Sequence, residues 1–113
     1  MAETFGISEK TGDGVSVVSA TGEIDIATAP PLRRQLEASI DRGPAVVVVD
    51  LLGVTFMDST ALGVLVGALK RTRAAGGALR IVVSDTRVLK VFEITGLTEV
   101  FSIFATVEDA VRG

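Results

Sequence analysis

Apolar and polar residues alternate along this chain with two different periods. Val46-Val47-Val48-Val49 is a continuous apolar run, the pattern of a strand with neighbours on both sides and cover on at least one face. Asp50 closes that run, and a short connection leads on to a helix. From Leu62 the period changes: Leu62, Leu65, Val66 and Leu69 fall at i, i+3, i+4 and i+7, one stripe of a helix. At the join stand Asp58, Ser59 and Thr60. A serine there sits at a helix N-terminus, where free backbone N–H groups and the helix dipole favour negative charge.

Upstream, residues 5–8 predict a short edge strand and Thr11-Gly12-Asp13-Gly14 a turn. Residues 15–21 alternate as a strand, and Gly22-Glu23-Ile24-Asp25 continues as a second extended piece, hairpin-paired with the first. Thr28-Ala29-Pro30-Pro31 predicts a helix start, with Thr28 as N-cap and proline in the first turn. Leu32, Leu36 and Ile40 mark one face of that helix, and Gly43-Pro44 ends it. Downstream, the helix after Ser59 closes at Ala74-Ala75-Gly76-Gly77, and residues 79–83 predict another strand. Ser84 or Asp85 caps a helix carrying Val88, Leu89, Val91, Phe92 and Ile94. Gly96 takes the left-handed conformation at its end, with Leu97 folding back onto it. Residues 101–104 form a last short strand, and 107–111 a short helix begun at Thr106. This order predicts a small α/β domain over residues 1–113, with a mixed sheet of about four to five strands and helices mainly on one face.

Composition narrows the function. A chain of 113 residues suffices for one core, and its apolar stretches fall far short of the ~20 residues that span a bilayer. Met1-Ala2-Glu3-Thr4-Phe5 has neither the basic nor the apolar region of a secretory signal. The absence of cysteine removes disulfides and thiol chemistry. A cytoplasmic protein without membrane contact is expected. Net charge is −3, the basic residues are scattered except for Lys70-Arg71-Thr72-Arg73, and there is no Trp or Tyr. That argues against direct nucleic-acid binding. The absence of histidine excludes a Ser-His-Asp triad and the usual His/Cys zinc sites. No glycine-rich phosphate loop opens a helix. Neither an enzyme nor a resident metal or cofactor is expected.

Two readings of Asp58-Ser59-Thr60 stand side by side. One residue of the three caps the helix, a role worth about 1 kcal/mol relative to alanine. Alternatively, Ser59 accepts a phosphate, gaining about two negative charges and three acceptor oxygens. The helix N-terminus would accommodate that phosphate and Asp58 would repel it. If the leucine stripe faces inward, Gly63, Val64, Gly67, Ala68 and Arg71 face the other side. Interior glycines cost a helix about 1 kcal/mol each relative to alanine. The gain that offsets this is either close packing against a neighbour or a flat docking surface beside the serine. Asp25 is a turn or cap residue, or a polar contact at the same sheet edge as Ser59. Asp50 occupies the position of a receiver domain's phosphoaspartate, but the acidic pair that would bind magnesium after the first strand is missing; it is read as structural.

With Gly22-Glu23-Ile24-Asp25 followed by Phe56-Met57-Asp58-Ser59-Thr60-Ala61-Leu62-Gly63, the chain resembles the STAS domain family. More narrowly, it looks like the single-domain anti-sigma factor antagonists of bacteria, over residues 14–111. The resemblance implies a partner-switching regulator. Ser59 would be phosphorylated by an ATP-dependent anti-sigma kinase, and the unphosphorylated form would bind that anti-sigma factor and free a sigma factor. A PP2C-type phosphatase would reset the protein. Asp58 and Thr60 flank the acceptor and Asp25 lies near the docking surface, to which the pattern adds Gly63, Val64 and Gly67. The alternative is a STAS scaffold, a sensory-complex subunit or a lipid-transport accessory without sigma-factor control. Ala61 departs from the family, where many members have glycine.

Overall fold

The computed structural model describes residues 5–113; residues 1–4, on which the expectation of no leader was largely read, lie outside the described residues. The elements are β1 (Gly6–Gly12), β2 (Val15–Ile24), α1 (Ala29–Asp41), β3 (Val46–Met57), α2 (Ser59–Ala74), β4 (Ala78–Val82), α3 (Thr86–Ile94), a 3-10 turn (Leu97–Glu99), β5 (Ser102–Phe104) and α4 (Val107–Arg112). The five strands lie in the order β1-β2-β3-β4-β5, β1 antiparallel to β2 and every later pair parallel. Each crossover from β2 to β5 therefore steps the same way across the sheet. Right-handed crossovers stepping one way lay their helices on one face. Leu32 and Leu36 of α1, Leu65 of α2 and Phe92 of α3 meet Val47, Val49, Leu51 and Ile81 in that core. Helix α4 follows the last strand, so no crossover dictates its side. It covers the other face, where Ala110 packs with Val48 and Val82.

The hairpin differs from the sequence expectation. Residues Val15–Ile24 are one strand, paired with β1 over Val15 to Thr21, and the turn is at Asp13-Gly14. Gly22 reads as a break in the sequence because glycine interrupts a strand pattern. In the fold its φ of 86° accommodates an irregularity inside β2 instead.

β3 also differs, and this difference positions the site. It continues well beyond Asp50 to Met57, so Asp50 lies mid-strand and no separate connection precedes α2 except Asp58. Its ladder with β2 slips twice, between Ser19 and Thr21 and between Gly22 and Glu23. Each slip gives β3 one extra residue. Leu51, Val54 and Met57 can then all point into the core although they are three apart, where a regular strand alternates every second residue. That spacing hides the strand from a search for period two. Asp50 ties down the first slip: its Oδ1 accepts the Leu52 N–H at 3.0 Å and its Oδ2 accepts the Ser19 hydroxyl at 2.9 Å. The structural reading of Asp50 is right and its strand-end placement is not.

The sequence pattern gives no hint of how the edge strand is held. Glu9 on β1 accepts the Ser39 and Ser16 hydroxyls at 2.6 and 2.8 Å, the Gln35 amide at 2.9 Å, and the Arg42 guanidinium. Both serines are buried, so this one carboxylate joins β1, β2 and α1. Burial pushes its pKa up, but the hydrogen bonds from Ser39 and Ser16 with the Arg42 charge outweigh it and hold the carboxyl below its ordinary value.

Candidate functional site

β2 and β3 end side by side. Ile24 pairs with Met57, and the Asp58 N–H donates to the Ile24 carbonyl at 3.3 Å. Both chains leave the sheet at one edge, β2 into the loop before α1 and β3 directly into α2.

Asp58 has an extended backbone, φ −112° and ψ −174°. Its Oδ1 accepts the N–H of Thr60 at 2.9 Å and of Ala61 at 3.1 Å, and its carbonyl accepts the Leu62 N–H at 3.2 Å. This is an N-cap, satisfying two backbone donors that a helix start otherwise leaves open. Ser59 is the first helical residue and is exposed, and among the described residues its hydroxyl has no hydrogen-bond partner. Thr60 is exposed as well. Of the three hydroxyl or carboxyl groups at the join, only Asp58 does the capping. The Ser59 oxygen is left in solvent at the positive end of the dipole.

Asp25 organises the neighbouring loop. Its Oδ1 accepts the Ala27 N–H at 2.9 Å and the Thr28 N–H at 3.2 Å, while its own N–H donates to Thr28 Oγ1 at 2.8 Å. Thr28 in turn donates its hydroxyl to the Glu23 carbonyl at 2.8 Å. Thr28 stands at the N-cap position of α1 but makes no side-chain cap, because the turn has already claimed its oxygen. This tight turn leaves Ile26 76% exposed. Phe56 of β3, paired with Glu23 of β2, is 48% exposed. The sequence reading missed both of these apolar side chains at the edge that carries Ser59. An isoleucine between Asp25 and Ala27, inside a turn, was the available signal.

The second part of the site is a groove of about 260 Å³ between α1 and α2, lined by Thr60, Gly63, Val64, Gly67, Ala68 and Arg71 of α2 and by Arg33, Leu36 and Glu37 of α1. A Cβ placed on Gly63 or Gly67 meets nothing within 4 Å. Close packing therefore does not explain these glycines; they leave the groove open. The buried stripe of α2 consists of Ala61, Leu62, Leu65, Ala68, Leu69 and Thr72. Ala68, expected on the outward side, is buried, and Val66, expected inward, is half-buried. Packing on α1 as well as on the sheet turns the helix and widens its buried arc.

Electrostatics divide the groove. At its far end Arg71 grips Asp41 with Nε and Nη2 at 2.9 and 2.8 Å and lies 4.0 Å from Glu37. The Arg71 hydrogen bond holds the Asp41 carboxyl below its usual range. The Arg33 side chain has no ion pair or hydrogen bond among the described residues. Among the described residues no group of three or more acidic side chains could hold a metal ion, and among them no helix is long and apolar enough to cross a membrane. The expected site residues thus fall into two adjoining sets. Asp25, Asp58 and Ser59 are at the sheet edge; Gly63, Val64 and Gly67 are in the groove, with Thr60 linking the two.

The chain is 39% identical over 95 residues to the anti-sigma-B factor antagonist of Bacillus subtilis, covering 84% of this chain and 86% of that one. Among solved structures, an anti-sigma factor antagonist from Mycobacterium paratuberculosis is similar with a TM-score of 0.83 and 32% identity, covering 96% of this chain and 92% of that one. The anti-sigma factor antagonist SpoIIAA in its unphosphorylated form is similar with a TM-score of 0.77 and 25% identity, over 96% of this chain and 93% of that one. The sequence model of the STAS domain matches residues 7–110, and the chain belongs to that family.

Proposed function

We propose that this chain is an anti-sigma factor antagonist, acting as one domain over residues 1–113 in the cytoplasm and switched by phosphorylation of Ser59. The observation that carries the site is the division of labour at the start of α2: Asp58 caps the helix, and the exposed Ser59 hydroxyl has no partner among the described residues. Relatives named as anti-sigma factor antagonists support the class. Unphosphorylated, the protein binds an anti-sigma factor through Asp25, Asp58, Ser59, Thr60 and the face bearing Gly63, Val64 and Gly67, and a sigma factor is released.

The chain contains no histidine, and the Asp58 Oδ1 is committed to the cap. In this reading the base that deprotonates Ser59 belongs to the kinase, and this protein is its substrate. The Ser59 oxygen forms a bond to the γ-phosphorus of ATP, the bond to the ADP leaving oxygen breaks, and the serine proton passes to the kinase's base. The product carries about two additional negative charges beside the Asp58 carboxylate, at a surface that the partner must approach. A PP2C-type phosphatase removes the phosphate by hydrolysis.

The test is a phosphate-affinity gel with the kinase and ATP. Wild type shows a shifted band that Ser59→Ala abolishes; a shift persisting in Ser59→Ala overturns Ser59 as the acceptor.

A further inference from the structure

The α1–α2 groove has a polarity that the protein as a whole does not share. The chain carries a net charge of −3, yet one wall of the groove presents Arg33, exposed and without a counter-ion among the described residues. Arg71 does not play the same part, because Asp41 and Glu37 already neutralise it. The ion pair of Arg71 with Asp41 joins the C-terminal ends of the two helices. Both helices link parallel strands and run the same way, so Arg33 lies toward the end at which Thr60 enters the groove. Half-buried Val64 contributes apolar surface between these charged ends, with the buried Leu36 behind it. The floor is open at Gly63 and Gly67, where folding gains nothing from the missing side chains and helix propensity loses.

We infer that this groove receives an acidic–apolar segment of the anti-sigma factor, with an apolar side chain seated over Gly63 and Gly67 and a carboxylate paired with Arg33. The inference rests on the proposed function and identifies what its partner must bring. It also explains why a phosphate on Ser59 would dismiss that partner without altering the fold. Ser59 is one residue from Thr60, which lines the groove. A phosphate there repels the incoming carboxylate and competes with it for Arg33. Charge pairs of this kind govern specificity and association more than fold stability.

The experiment uses the full chain and the purified anti-sigma factor for which wild-type binding and Ser59 phosphorylation have first been demonstrated, with affinities measured by calorimetry. Arg33→Glu weakens binding by about tenfold or more, Arg33→Lys retains most of it, and Arg34→Glu changes it by less than about twofold. Arg34 is the control because it is exposed on the same helix but does not line the groove. Gly67→Leu fills the groove and also weakens binding by about tenfold, while its melting temperature equals or exceeds that of wild type. Raising the salt concentration weakens wild-type binding more than that of Arg33→Glu. Equal losses in Arg33→Glu and Arg34→Glu, or wild-type affinity in Gly67→Leu, overturn the groove assignment and leave the phosphoswitch standing. A wild-type protein that none of the organism's anti-sigma factors binds or phosphorylates removes the proposed function, and this inference with it.

Discussion

Replacing Asp58 and Ser59 separately by alanine tests whether cap and acceptor are different residues. Asp58→Ala deprives the Thr60 and Ala61 N–H groups of their shared acceptor. Loss of such a cap costs about 1 kcal/mol, with a range up to about 2. Unfolding entropy of about 2.1 cal/mol/K per residue makes 1 kcal/mol worth about 4 °C for a chain of this length. Asp58→Ala should therefore lower the melting temperature by about 4–8 °C. Asp58→Asn keeps the acceptor and should lose only a few tenths of a kcal/mol, mostly through the missing charge near the helix dipole. Ser59→Ala removes an exposed hydroxyl without a partner and installs the best helix former, so its stability should stay within about 0.5 kcal/mol of wild type or rise slightly. Thermal scans checked by urea titration give all three values. If Ser59→Ala is as destabilising as Asp58→Ala, the serine is part of the cap and the separation argued above is wrong.

Glu9→Ala leaves the buried Ser16 and Ser39 hydroxyls without their acceptor and should cost about 2–4 kcal/mol in urea unfolding at neutral pH. Because folding lowers the Glu9 pKa from 4.5, its contribution is complete above that value and is lost as pH falls through the lower folded value. Glu9→Gln should accordingly flatten the acid limb of the stability–pH curve, and an unchanged limb would show that the carboxylate contributes nothing. Gly63→Ala should raise stability by about 1 kcal/mol, since its Cβ meets nothing within 4 Å; a loss would mean that the groove is more crowded than its geometry indicates. Ser59→Glu adds a negative charge at the docking surface and should weaken binding to the anti-sigma factor in calorimetry. Unchanged affinity would remove the electrostatic basis of the switch.

The order of elements, the face taken by the helices and the polar triplet at the join were legible because local patterns encode them. Valines at 46–49 can do little but form a buried strand, and Gly96 with a φ of 74° marks its helix end plainly. What escaped was set by long-range contacts. The continuation of β3 depends on slips against β2, which no local periodicity records. The role of Glu9 depends on Ser39 and Arg42, some thirty residues away. Ala68 joined the buried face, with Val66 left half-buried at its margin, because α2 answers to α1 as well as to the sheet. The glycines were noticed, but only the open space above them decides between packing and docking. Arg33 had no sequence signature at all, since its significance lies in lacking the partner that Arg71 has.

The two slips of β3 connect the fold to the proposed switch. They add two residues to β3 relative to β2, which keeps Val54 and Met57 in the core and brings Asp58 opposite the end of Ile24. A cap anchored to the sheet in this way does not depend on the residue that follows it. The phosphate can then be placed on Ser59 while the Asp58 bonds to Thr60 and Ala61 persist. The dipole and open N–H groups of the first turn offset part of its repulsion from Asp58, by about 0.3–1 kcal/mol for an exposed charge. Little energy remains to distort α2. Under the proposed switch, the charge would be read by whatever approaches the Asp25 loop, the exposed Ile26 and Phe56 side chains, and the groove entered at Thr60. On the proposed reading, phosphorylation would act by changing which surface a partner meets, with the helix beneath it held in place by Asp58, a neighbour of the proposed acceptor.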